Sequence, residues 1–140
     1  MVSDVLQLLS GGVLAAVIWF LAGGVLYMNP LVAGFYREAA DHPGVRRWAS
    51  VPKYLLLQFG AILVQAVLWA FVYGLIRSAL PQGVWAAGLT FGGILTVTKI
   101  LPRLFNMAIQ TTYPGKLLAV ELVNGTIGSL VIGIVLAWAI

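Results

Sequence analysis

Four runs of apolar residues, interrupted by little except small side chains and an occasional amide, divide the 140-residue chain. They cover about residues 5–28, 54–76, 84–101 and 117–140, and each reaches the ~20 residues that a helix needs to cross a hydrocarbon core. The second and third are joined by a tight "SALPQG" link, whereas longer links follow the first and the third. The pattern predicts an all-α polytopic membrane protein. It would form one domain over residues 1–140, with four transmembrane helices arranged as two hairpins in a compact bundle.

The longer links carry a helical pattern of their own. Asn29-Pro30 is a capping and first-turn pair, and Leu31, Val32, Phe35, Tyr36 and Ala39 then share one helical face. A short helix lying in the membrane interface is expected there, stopped at "HPG". After Pro102, Leu104, Phe105, Ala108 and Ile109 make a similar stripe, stopped at "YPG". Trp48 and Tyr54 suit interface anchors.

The two halves share a motif. "GVLAAVIWF" (12–20) and "GVWAAGLTF" (83–91) agree at Gly-Val-x-Ala-Ala-x-x-x-Phe, and each is followed by Gly-Gly, a proline and a later Pro-Gly. A duplication would make this a parallel repeat about an axis along the membrane normal. Chance matches among Gly, Ala and Val are common in such sequences, and the offset between the halves is not constant. Small residues also recur at every fourth position: Gly125, Ser129, Gly133 and Ala137; Ala66, Ala70 and Gly74; Gly88, Gly92 and Thr96. Such ladders let helix backbones approach closely in lipid.

Composition agrees with the pattern. Hydrophobic residues make up 61% of the chain and charged residues 9%, against roughly 25% charged in soluble domains; the mean hydropathy is +1.02. With no cysteine there is no disulfide frame, thiol catalysis or Cys-ligated metal. A single histidine, His42, does not by itself hold a metal or haem, and no cofactor is expected. The net charge of +4 fits loops facing anionic lipid, and no basic run interleaved with aromatics points to nucleic acid. "MVSD" lacks the basic start of a signal peptide, so the first run reads as a retained helix.

The basic residues give an orientation. Arg37, Arg46, Arg47 and Lys53 surround the first long link, and Lys99, Arg103 and Lys116 the second, leaving only Arg77 on the other side. The positive-inside rule then places both long loops in the cytoplasm and both termini outside.

Polar residues within the spans are the candidate site. Glu121 lies five residues past Lys116, about 8 Å into the helix at ~1.5 Å per residue, where an acid needs a partner. Depth arithmetic suggests an inner-leaflet cluster of Tyr27, Gln58, Lys99, Glu121 and Asn124, with Gln65 above. Three readings stand open. Lys99 and Glu121 form a buried ion pair that locks the bundle; Glu121 centres a cation, proton or small-ligand site; or the two charges snorkel apart to the interface.

The end of the first run, "AGGVLYMNPL" with Phe35 and Trp48 after it, and the last span, "NGTIGSLVIGIVLAW", resemble a family of small bacterial membrane proteins, domain of unknown function seventeen-sixty-one. The resemblance implies a four-helix protein of the bacterial inner membrane and brings no chemistry with it. The four-helix glutathione-transferase membrane family and the small multidrug transporters share only length and helix count. The former should show clustered Arg, Asn and Glu, and the latter an acid in the first helix, which here has none after Asp4.

Two functions follow as expectations. One is a structural or accessory subunit that packs with itself or with a larger membrane complex. The other is a small oligomeric transporter or channel using Glu121 as its proton or cation site. No nucleophile–base or metal constellation supports an enzyme.

Overall fold

The structure, a computed structural model, describes residues 2–140. Among the described residues six α-helices follow one another: α1 (Val2–Met28), α2 (Pro30–Glu38), α3 (Val51–Ile76), α4 (Val84–Leu95), α5 (Leu101–Gln110) and α6 (Gly115–Ala139). Four helical stretches, Asp4–Met28, Val51–Ala79, Val84–Gln110 and Gly115–Ala139, are long and apolar enough to cross a membrane. This is the architecture of a multi-pass membrane protein.

Local chemistry sets most boundaries. Asn29 caps α2, its side-chain oxygen accepting from the Val32 N–H at 3.0 Å, with Pro30 in the first turn. Ser50 caps α3 in the same way, accepting from the Lys53 N–H at 3.4 Å. That cap, with Pro52 in the first turn, starts the helix at Val51, three residues before the apolar run predicts. Gly83 enters α4 with φ +95°, a conformation that a β-carbon would strain.

The third span is where expectation and structure part most clearly. Pro102 looks like a stop in sequence, yet the helix runs through it to Gln110. The reason is a π-helical turn at Thr96–Ile100, closed by the Leu101 N–H bonding the Thr96 carbonyl. A proline lacks its N–H and crowds the carbonyl four residues back. The wider turn lets the chain pass this obstacle without breaking. The stripe after Pro102 is therefore helically continuous with the apolar run before it.

α4 packs along α6, α6 along α1, and α1 along α3. Small residues make each contact close. A Cβ on Gly133 would lie 2.2 Å from the Gly88 carbonyl oxygen, and one on Gly88 would lie 2.6 Å from the Ile134 Cα. α1 and α3 meet at Gly12, where a Cβ would lie 2.7 Å from the Val67 Cα; Ala15, Ala16, Ala66 and Ala70 are fully buried in the core, and the Trp19 ring fills the space over Gly128. α3 and α4, though consecutive, meet through side chains such as Tyr73 and Phe91, whose ring centroids are 5.2 Å apart. A two-fold exchanging the halves would make that contact equivalent to α1 on α6. The packing is less symmetric than the shared motif, since Gly12 lies inside α1 and Gly83 opens α4.

Candidate functional site

Glu121 projects from the second turn of α6 into the end of the bundle that bears the basic loops. Its side chain is 13% exposed, so the carboxylate needs donors, and three reach it. The Tyr27 and Tyr36 hydroxyls each donate to Oε1 at 3.1 Å, and Arg103 donates to Oε2 from Nη2 at 3.2 Å. Tyr113 stands behind Tyr36, with their hydroxyl oxygens 3.3 Å apart. One carboxylate thus ties together the last turns of α1 and α2 with α5 and α6, and the loop before α6 is joined through Tyr113.

The two phenols outside the spans respond to this setting. Burial, the Tyr113 hydrogen bond and the adjacent Glu121 charge hold the Tyr36 hydroxyl well above its ordinary range. Burial, with the Glu121 charge, also raises that of Tyr113. Both stay neutral donors at any physiological pH. Nearer the loops, Lys116 pairs with Glu38 at 3.4 Å and lies 5.7 Å from the centre of the Phe35 ring. Arg47 bonds Asp41 in the open, where such pairs contribute little.

Of the six residues that depth arithmetic groups together, the structure brings Tyr27 and Glu121 into contact. The expected partner Lys99 is replaced by Arg103. Because the helix continues to Gln110, Lys99 sits deeper in the bundle, and its ammonium lies 5.8 Å from the centre of the Trp69 ring. Arg103, four residues later and therefore a turn nearer the basic loops, meets the acid. Asn124 is 4% exposed, one turn along α6 from Glu121, and its Nδ2 has no hydrogen-bond partner. Gln58 and Gln65 lie on the exposed side of α3, away from Glu121, and make no hydrogen bond among the described residues.

Three members of the site carry sequence signals that point equally well elsewhere. Tyr36 counts equally well as an apolar stripe residue, Arg103 as an orientation charge and Tyr113 as part of a helix stop. Among the described residues no group of three or more His, Cys, Asp or Glu could hold a metal ion. The three hydrogen bonds to Glu121 occupy most of the roughly four acceptor sites that a carboxylate offers. Fold and site together define a small helical membrane protein with a buried, neutralised acid. No family model matches the chain, and neither the curated proteins nor the solved structures contain a match.

Proposed function

We propose that the protein is a structural or accessory subunit of the bacterial inner membrane that packs with a second copy or with a larger membrane complex. The observation that carries this reading is the engagement of Glu121 by Arg103, Tyr27 and Tyr36. These bonds take three of about four acceptor sites on the carboxylate, join segments of four helices and leave a titrating group little access to water. The basic residues around the long loops support a cytoplasmic position for that end, with both termini outside. α2, amphipathic and next to the membrane-embedded end of α1, then lies in the cytoplasmic interface. The resemblance to the family noted above brings no chemistry that would favour an enzyme.

One observation favours the transport reading: the buried, unpartnered Asn124 amide a turn beyond Glu121 could serve a passing polar species. Purification in a gentle detergent followed by native mass spectrometry tests the subunit reading. A stable homo-oligomer or a retained membrane protein is the expected result. A lone monomer, together with flux when reconstituted, would overturn it.

A further inference from the structure

The sharpest mismatch between charge and surroundings is at Lys99, near the middle of the helical stretch Val84–Gln110. Cross-helix packing gives its level. Phe91 meets Tyr73, and Lys99 lies eight residues, ~12 Å, further along its helix. The same distance along α3 from Tyr73, in the matching direction, leads to Gln65, near the centre of Val51–Ala79. Lys99 therefore leaves its helix close to the mid-plane of the membrane-length bundle. Helical side chains lean toward their helix N-terminus, and this brings the ammonium over Trp69.

A ring face offsets only part of the hydration a charge gives up at such a depth. Neither of the unpartnered polar groups nearby offers a negative charge. Trp69 Nε1 is buried without a hydrogen bond. Gln65 is one turn from Trp69 on the same face of α3, exposed and without a hydrogen bond among the described residues. No carboxylate among those residues pairs with Lys99. α3 and α4 each pack on another helix and meet through large side chains such as Tyr73 and Phe91, so the cleft between these two helices is closed less tightly than the glycine-lined contacts.

We propose that this cleft is the docking site for a transmembrane helix of another protein that carries a carboxylate at mid-membrane depth. The proposal rests on the accessory-subunit reading and names the partner's chemistry. An acid placed there would pair with the ammonium, while the exposed Gln65 amide offers a donor to a remaining lone pair. A second copy cannot supply it. The chain has four acids: Glu121, Glu38 and Asp41 are already ion-paired, and Asp4 lies in the first turn of α1, ~18 Å from the centre of that helix. Lipid phosphates lie a similar distance away, beyond the ~15 Å half-thickness of the hydrocarbon.

The test uses the full chain in liposomes with a synthetic Leu-rich transmembrane peptide of about 22 residues bearing one central Glu, and energy transfer as the readout. The Glu peptide is expected to associate at least roughly tenfold more tightly than its all-Leu counterpart. Lys99→Met should abolish that preference and Lys99→Arg should keep most of it. Lys99→Met removes a charge from the bilayer centre and should fold at least as stably as wild type, which a detergent melting curve checks. Equal binding of the two peptides, or a preference that survives Lys99→Met, would overturn the proposal. So would a Lys99-dependent iodide leak without peptide binding, which would assign the cleft to a small anion. A natural partner that co-purifies equally well with Lys99→Met would overturn this site while leaving the accessory reading in place.

Discussion

The Arg103 guanidinium lies 3.2 Å from the Glu121 carboxylate, linking the far end of the third span to the start of the fourth. Two tyrosines from α1 and α2 complete the shell, so one acid reports on how four helices meet. The partners differ in burial, with side-chain exposures of 55% for Arg103 and 13% for Glu121, and this asymmetry decides what each substitution does.

Arg103→Gln leaves Glu121 in place without its cation, whereas Glu121→Gln frees an arginine that can turn toward water. The first should cost more. A loss of about 2–3 kcal/mol is expected for Arg103→Gln and about 1–2 kcal/mol for Glu121→Gln, the latter discounted because Arg103 is over half exposed. Unfolding curves in mixed micelles of the two single variants and the double variant give the coupling directly.

Inserting one residue between Pro102 and Arg103, where the helix is already regular, rotates everything after it by ~100°. Arg103 then leaves Glu121. The insertion should destabilise at least as much as Arg103→Gln. Adding Arg103→Gln to it should change little further, which the same unfolding assay reads.

Tyr36 predicts a pH effect. Its hydroxyl is held above its ordinary value of 10.0, so the folded state keeps a proton that the unfolded chain releases near pH 10. Stability is full below that pH and falls as pH rises from about 10 toward the folded-state value. Melting temperatures between pH 8 and pH 11.5 should decline, and Tyr36→Phe should flatten the decline, with phenolate absorbance monitoring ionisation.

Glycine positions separate contact from composition. Gly133→Ala places a Cβ against the Gly88 carbonyl oxygen and forces α4 and α6 apart, at a cost of about 2 kcal/mol or more. Gly93→Ala meets nothing within 4 Å and should be neutral, or stabilise by up to about 1 kcal/mol through helix propensity. Melting of the two purified variants distinguishes them.

The four apolar runs and the ladder glycines are legible in the sequence because length and a four-residue period both follow directly from helix geometry. Gly88, Gly92, Ser129 and Gly133 lie at helix contacts as their spacing implies. The end of the third span is not legible, because nothing in "TVTKI" announces a π turn and Pro102 argues for a stop. That one misreading displaces Lys99 toward the basic loops and leaves Arg103 out of the site. Glu121 is recognisable from its cost in lipid alone. Tyr36 and Tyr113 are not, because a phenol on an apolar stripe serves equally well as packing or as a donor.

The proposed role of Glu121 as a structural joint is tested most directly by proton and cation flux measured in liposomes for wild type and Glu121→Gln, with a melting curve taken on the same preparations. No flux above empty liposomes from either protein, with a lower melting temperature for Glu121→Gln, is the predicted result. A pH-dependent flux in wild type that disappears in an equally stable Glu121→Gln would contradict it.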